Sequence, residues 1–163
     1  MDDLVEIRTE LLDPAVSDKW VWPKKDHGAW YGPVLNWHQA HKEDFFRHIK
    51  KYDVVVTAGG NCGLHTRVFA NKFKTVYVFE PEPLNFYCLT RNCSQNNVIK
   101  FQAALGSVPG FCEIKGYEET NTGTCSINTN TGIIPVLTID SLNLPSCDFI
   151  QLDVEGHEES LIS

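Results

Sequence analysis

The sequence predicts an α/β fold built on a mostly parallel β-sheet, and three observations lead to that prediction. Val54, Val55 and Val56 form a β-branched run, which is typical of a strand covered on both faces. A glycine-containing turn at 59–63 follows the run directly and leads into a helix. The apolar stretch at 75–79 then repeats the strand pattern. Strand, turn, helix and strand in this order form the unit from which parallel sheets are built.

The turn after the first strand has the spacing Gly-x-Asn-x-Gly, with Asn61 between Gly59 and Gly63. Asparagine is the non-glycine residue that most readily adopts the left-handed conformation, so the sequence still suits a tight turn. Such a turn lets backbone approach a ligand at the carboxyl end of a strand, where open α/β sheets bind nucleotides. The glycine pattern alone also fits an ordinary strand-to-helix turn without a ligand.

The second strand ends in Glu80, about 20 residues after the first glycine, where dinucleotide-type folds place an acid that binds ribose hydroxyls. A carboxylate there offers two acceptor oxygens to a vicinal diol. The alternative is a solvated acid in a turn. The order of strand, glycine turn, helix, strand and acid favours the nucleotide site.

The remaining elements follow in chain order. Residues 1–35 predict an irregular lead whose tryptophans either pack as a lid on the sheet or form a substrate wall, with packing favoured. A helix is predicted to begin at Asn36, with Gln39 at capping-box spacing. Another helix begins near Pro83. Further strands are predicted at 98–106, 111–117, 135–140 and 148–154, and the polar stretch 118–132 predicts a loop.

Composition favours a single intracellular domain. The chain has 163 residues and a net charge of −7, which argues against a nucleic-acid backbone as its main partner. No apolar run approaches membrane-spanning length, and the acidic amino terminus lacks a signal-peptide pattern. We therefore expect a cytoplasmic protein that acts on a small neutral acceptor.

The six cysteines are scattered and are predicted to be reduced thiols, most of them buried. Cys62 and His65 lie three residues apart but lack a second ligand pair, so the sequence predicts no metal site.

Six short motifs, in the correct order, resemble the FkbM-like methyltransferases, a branch of the class I S-adenosylmethionine-dependent methyltransferases. The motifs cover about residues 50–163, and EPEPLNF and LDVEGHE are the most diagnostic. The resemblance implies a Rossmann-like sheet, S-adenosyl-L-methionine as cofactor, and O-methylation of a sugar, glycan or other small hydroxyl acceptor. It divides the chain into a lead with a helix at 1–52 and a cofactor-binding domain at 53–163. The motifs are AGGNCGLHT, VYVFEPEPLNF, LTRNCSQNN, AALG, VLTIDSL and FIQLDVEGHEESL.

The stretch from Ser17 to Lys51 is similar to family members of marine viruses and bacteria. A virus-encoded copy is expected in the host cytoplasm.

The resemblance also implies a cofactor site. Glu80 would hold the ribose diol, and Gln102 and Ala103 stand where class I enzymes contact the adenine. The family's aspartate two residues before the first glycine is Thr57 here, a change that weakens the expected hold on the methionine end. Asp153 and Glu80 are expected to compensate. The turn expected beneath the methionine part consists of Gly59, Gly60, Asn61 and Gly63.

The acceptor side is expected at the last motif, which supplies Asp153, Glu155 and His157 as candidate catalytic residues. A hydroxyl acceptor needs a base to remove its proton. Asp153 and Glu155 alternate along the predicted strand and begin on one face, which suits a base, a ligand for the cofactor's ammonium or a metal ligand. His157 is equally well interpreted as a surface helix residue.

Two further functions compete with methyl transfer. A dinucleotide-using enzyme is the first, although the turn lacks the later glycine of that fingerprint. A non-catalytic nucleotide-binding or structural module is the second, and Thr57 favours it. The resemblance implies a chain truncated at the carboxyl end, with only the first four strands of the family's sheet, so the strand at 148–154 is expected to be an edge. The lead, a second copy of the chain or a separately encoded carboxyl half could cover it; the last two are favoured, and we expect weak or no methyl transfer from this chain alone.

Overall fold

The computed structural model describes residues 3–8, 19–29 and 46–154. None of the helices among these residues is both long and apolar enough to cross a bilayer. Among the described residues, helix α1 spans Leu64–Ala70, helix α2 spans Pro83–Asn92, and short 3-10 helices lie at Thr122–Thr124 and Asp140–Leu142. The strands are β1 Leu4–Arg8, β2 Lys19–Pro23, β3 Val54–Ala58, β4 Thr75–Phe79, β5 Val98–Phe101, β6 Ala104–Leu105, β7 Gly110–Lys115, β8 Ser126–Thr129, β9 Ile134–Leu137 and β10 Phe149–Leu152.

The central sheet is parallel throughout and has the strand order β10-β3-β4-β5. Counted along the chain within this sheet, the order from the other edge is 3-2-1-4, as in doubly wound nucleotide-binding folds. Val55 and Val56 are fully buried, as a strand covered on both faces requires. The structure therefore confirms a mixed α/β fold with a mostly parallel sheet, consistent with a Rossmann-like class I arrangement. Within the described residues β10 pairs only with β3.

The main core lies between this sheet and the two helices. Phe69 of α1 and Leu89 of α2 are fully buried against Val55 and Val76. Helix α2 begins with Pro83 after Glu82, whose carboxylate accepts a hydrogen bond from the backbone N–H of Asn85 at 2.6 Å and so caps the helix. All six cysteines lie in described residues and are free thiols there; four of them are buried, as the sequence predicts for most of them.

A second sheet, β6-β9-β7-β8, corrects three boundaries that the sequence suggested. The strand predicted at 98–106 breaks at Gln102 and Ala103, because Ala104 and Leu105 pair with β9 instead of β4. The strand predicted at 135–140 ends at Leu137 and belongs to this second sheet. The loop predicted at 118–132 contains a 3-10 turn and β8. The antiparallel strand predicted at 111–117 is confirmed as β7.

The described part of the lead is not irregular: β1 and β2 form an antiparallel pair. Trp20 and Trp22 alternate inward along β2 and are each 2% exposed; they pack with Cys62 and Cys88, in the turn after β3 and in α2, and not as a lid on the sheet. The guanidinium of Arg67 lies 4.2 Å from the centre of the Trp20 ring. Of the helix predicted from Asn36, residues 36–45 lie outside the described residues.

Candidate functional site

A cavity of about 240 Å³ opens at the carboxyl ends of β3, β4 and β10. The strand order reverses between β3 and β10, and open α/β sheets bind ligands at such a reversal. The wall of the cavity also includes residues of α2, of β6 and of the loop at 118–125, which we call the roof loop. Prominent among the lining residues are Gly59, Asn61, Glu80, Asn85, Leu105 and Asp153.

The glycine turn at 59–63 follows β3 and lines this cavity. Its glycines also pack closely against neighbouring residues. Gly59 has a φ of +80°, and a Cβ there would lie 1.8 Å from the carbonyl oxygen of Asp153. Only glycine fits both constraints. Asn61 has a φ of +44°, so it adopts the left-handed conformation expected from its position in the motif. Gly60 and Gly63 abut Val78 and Cys93, and therefore serve the packing of the turn against the core.

Glu80 lies in the cavity wall and is only 5% exposed. Its Oε2 accepts the backbone N–H of Asn61 at 2.6 Å, and its Oε1 accepts the backbone N–H of Glu82 at 2.9 Å. Burial raises the pKa of Glu80 to about 7, while these two backbone hydrogen bonds and one from the Asn85 side chain favour its ionised form. Glu80 thus ties the glycine turn to the start of α2 and brings a carboxylate to the cavity.

The roof loop is held over the cavity by buried hydrogen bonds. Thr122 is fully buried, and its carbonyl accepts a hydrogen bond from Nδ2 of Asn85 at 2.9 Å. Its backbone N–H donates to Oδ2 of Asp26 at 3.0 Å, and its hydroxyl donates to the same oxygen. The roof loop is therefore anchored to α2 on one side and to the segment after β2 on the other.

That segment is itself ordered around Asp26. The Oδ1 atom of Asp26 accepts the backbone N–H of Gly28 at 2.6 Å, and the backbone N–H of His27 donates to the carbonyl of Thr120 at 2.9 Å. On the exposed side, Lys25 forms an ion pair with Glu119 at 2.6 Å. The hairpin of β1 and β2 thus contributes to the site through the roof loop.

A second cavity, of about 230 Å³, adjoins the first. It lies on the other side of Asn61, Gly123 and Asp153, which line both cavities, and reaches Trp22 and His65. A Cβ on Gly123 would lie 3.0 Å from Nδ2 of Asn61, so the tip of the roof loop rests on the glycine turn. Ligand pockets usually enclose roughly 300–1,000 Å³, a range that neither cavity reaches alone and the two reach together.

The predicted site residues fall into three groups. Gly59, Gly60, Asn61, Glu80 and Asp153 come together around the two cavities. Four other predicted residues line neither: Thr57, whose hydroxyl donates to Oε1 of Gln151, the packed Gly63, the exposed Gln102 and the buried Ala103. Ala104 and Leu105 line the first cavity in place of Gln102 and Ala103. Glu155 and His157 lie outside the described residues.

Among the residues of the site that were not predicted from the sequence are Asp26, Asn85 and Thr122. Asn85 belongs to the motif EPEPLNF, so that motif was a signal for it. Asp26 and Thr122 are 96 residues apart, and no local pattern links them. Within the described ranges no cluster of three or more His, Cys, Asp or Glu side chains is arranged to hold a metal ion.

The chemistry of the walls fits a nucleoside joined to an amino acid. Phe79, Leu105 and Ile127 give the first cavity an apolar surface for a flat base, and Glu80 offers a carboxylate to a diol. The exposed carboxylate of Asp153 lies where both cavities meet and can bind an ammonium group. This set of groups could hold a nucleoside-containing cofactor.

Among the known proteins similar to this chain are one solved structure and one curated protein. No protein-family model matches the chain, so membership of the FkbM-like branch stays a prediction. A solved structure of phosphoethanolamine N-methyltransferase 1 from Haemonchus contortus, with phosphoethanolamine and S-adenosylhomocysteine, matches 47% of this chain and 18% of its own, at 17% identity and a TM-score of 0.37. Over 114 residues, 65% of its length, the chain is 31% identical to the hexuronic acid methyltransferase AglP of Haloferax volcanii. The chain spans about half (47%) of the length of that curated relative. Its sequence similarity to a methyltransferase extends over about two thirds of its own length.

Proposed function

We propose that this chain forms the S-adenosylmethionine-binding part of a methyltransferase that methylates a hydroxyl group of a sugar, glycan or other small molecule. The observation that carries the proposal is the cavity where the strand order reverses, bounded by the glycine turn and the buried carboxylate of Glu80. The sequence similarity to a hexuronic acid methyltransferase supports methyl transfer and favours a sugar acceptor. Assignment to the FkbM-like branch is part of the proposal and rests on the motifs EPEPLNF and LDVEGHE.

Each part of the site has a task in binding. Glu80 holds the ribose diol, and Phe79 and Leu105 flank the adenine in the first cavity. Gly59 and Asn61 let the backbone approach the methionine part, which extends toward the second cavity. The roof loop excludes water from both. When bound, the cofactor supplies an activated methyl group, so the chain's main task is to orient an acceptor beside it.

The acceptor side is proposed at the end of β10. The backbone N–H of Asp153 donates to the carbonyl of Ala58 at 3.1 Å, which fixes this residue beside the glycine turn. Its exposed carboxylate is placed to hold the cofactor's ammonium group or to receive the acceptor's proton. Glu155 and His157 follow in the same motif and complete the proposed catalytic set.

Binding of the cofactor is tested by calorimetry with S-adenosylmethionine, S-adenosylhomocysteine and NAD. We expect the first two to bind and NAD not to bind. In the Glu80→Gln variant we expect affinity for S-adenosylhomocysteine to fall by about ten-fold or more, because charge-assisted hydrogen bonds contribute about 1.5–3 kcal/mol each.

The matched control is Glu113→Gln, which removes an exposed carboxylate on β7 and should leave affinity unchanged. Melting curves of both variants, recorded without ligand, separate lost binding from lost folding. Equal affinity of the wild type and Glu80→Gln would place the ribose elsewhere, and tight binding of NAD would contradict the proposed cofactor.

A non-catalytic nucleotide-binding module is the second candidate, and one observation favours it. Thr57 stands where the family has an aspartate, and its hydroxyl is bonded to Gln151 instead of facing either cavity. Transfer of a radiolabelled methyl group to uronic acids or neutral sugars distinguishes the two functions. Binding of S-adenosylhomocysteine without any transfer would support the second.

A further inference from the structure

A buried polar network joins the carboxylate of Glu80 to the roof loop. Asn85, at its centre, is 2% exposed. Its side chain donates a hydrogen bond to the carbonyl oxygen of Thr122 at 2.9 Å, and its backbone N–H donates to the carboxylate of Glu82 at 2.6 Å. The backbone N–H of Glu82 in turn donates to Oε1 of Glu80 at 2.9 Å, so Asn85 and Glu82 link the wall and the roof of the first cavity.

The same network continues from the roof loop to the hairpin. Asp26 is 4% exposed and accepts the backbone N–H and the hydroxyl of Thr122, together with the backbone N–H of Gly28. A buried carboxylate without such donors would be costly, so these contacts hold one another in place. Glu80, Asn85, Thr122 and Asp26 therefore form one connected chain of contacts.

The position of the roof loop determines whether a ligand can span the two cavities. Gly123 rests on Asn61, and this contact separates the cavities. A ligand that occupies both must pass beneath the roof loop or lift it. Thr122, the neighbour of Gly123, is bonded to Asn85, and Asn61, on which Gly123 rests, donates its backbone N–H to Glu80, so the roof loop and Glu80 are linked through both residues.

We propose that Asn85 and Thr122 are positioning residues that make ribose binding at Glu80 and closure of the roof loop one cooperative event. The inference rests on the proposed function, because the ribose is that of S-adenosylmethionine. It adds to that function a role for the segment after the hairpin, whose Asp26 holds the roof loop and lines the second cavity but not the ribose site. Loss of the Thr122 hydroxyl should then weaken cofactor binding, and the loss should depend on whether Glu80 is present.

A double-mutant cycle tests this coupling with S-adenosylhomocysteine as the titrated ligand and the full chain as the protein. We expect Thr122→Val and Glu80→Gln each to weaken binding by about ten-fold. The double variant should bind at least about three-fold more tightly than the product of the two losses predicts, since coupled sites are not additive. Thr122→Ser keeps the hydroxyl and should restore affinity to within about two-fold of the wild type.

Thr90→Val is the matched control, because it removes an exposed hydroxyl from α2 and should leave affinity unchanged. If Thr122→Val does not fold, Asp26→Asn replaces it in the cycle with the same expected coupling. Additive losses, or a Thr122→Ser variant as weak as Thr122→Val, would overturn the coupling and leave the proposed function standing. A wild-type chain that does not bind S-adenosylhomocysteine would overturn both.

Discussion

At the scale of single residues, Glu80 combines two roles that usually fall to different side chains. Its two oxygens join the glycine turn to the start of α2, and the same carboxylate is the proposed ribose ligand. Burial raises its pKa to about 7, so near neutral pH a large fraction of Glu80 is protonated without ligand. Hydrogen bonds from a diol favour the ionised form and should lower this pKa.

Cofactor affinity should therefore depend on pH. Below pH 7 the protonated Glu80 must lose its proton before it can accept both ribose hydroxyls, so affinity falls as pH falls. If the pKa in the complex lies well below 6, S-adenosylhomocysteine should bind about ten-fold more tightly at pH 8 than at pH 6. Calorimetry across this range measures the change.

The Glu80→Gln variant serves as the control for that profile. Glu82, Cys62, Cys125, Asp26 and Asp153 also lie around Glu80 or its cavity, and their contributions remain in the variant. A flat profile in Glu80→Gln assigns the pH dependence to Glu80. An unchanged slope in the variant would assign it to another group.

At the scale of the elements, the glycine turn and the carboxyl end of β10 are fitted to each other. The Gly59→Ala variant places a methyl group 1.8 Å from the carbonyl oxygen of Asp153, at a φ of +80°. The backbone must move apart, so we expect a loss of about 2 kcal/mol or more in the free energy of unfolding and weaker cofactor binding. Urea denaturation and calorimetry measure the two effects.

Gly110→Ala is the matched control for this substitution. No atom lies within 4 Å of a Cβ at Gly110, so the added methyl group meets open space. The free energy of unfolding of the Gly110→Ala variant should differ from that of the wild type by less than about 0.5 kcal/mol. A Gly59→Ala variant as stable as Gly110→Ala would contradict the close contact between the turn and Asp153.

The elements that the sequence predicted are those whose signal is local. The valines of β3, the Gly-x-Asn-x-Gly spacing and Glu80 at the end of β4 each carry a recognisable pattern within a few residues. The hairpin was missed, although Trp20 and Trp22 have the spacing of a strand with one buried face. The sequence predicted a loop at 118–132 but not where the roof loop lies, because its position depends on Asp26, 96 residues from Thr122 in the chain.

At the scale of the molecule, Asn92 joins three regions that are distant in sequence. Its Nδ2 donates to the carbonyls of Val21 at 2.8 Å and Cys62 at 2.7 Å, and its Oδ1 accepts the backbone N–H of Val21 at 2.7 Å. The hairpin, the glycine turn and α2 are thus connected through one buried side chain, 5% exposed.

Replacement of Asn92 should therefore destabilise the whole molecule. Asn92→Leu leaves three backbone groups without a partner, and each buried unpaired group costs about 1–3 kcal/mol. We expect a loss of about 3 kcal/mol or more in the free energy of unfolding, measured by urea denaturation. Asn96→Leu changes an exposed asparagine and should have little effect. A loss confined to the hairpin, with the melting temperature of the remaining chain unchanged, would show that the three regions unfold separately.

The six free cysteines allow thiol reagents to probe the conformation of the protein. Cys147 is exposed, four others are buried, and Cys125 lies in the roof loop against the first cavity. Burial, followed by the nearby charges of Glu82 and Glu80, raises the pKa of Cys125 to about 11, so very little of it is thiolate at neutral pH. An alkylating reagent should therefore react first at the exposed Cys147, whereas its rate at the half-buried Cys125 reports how far the roof loop covers that thiol.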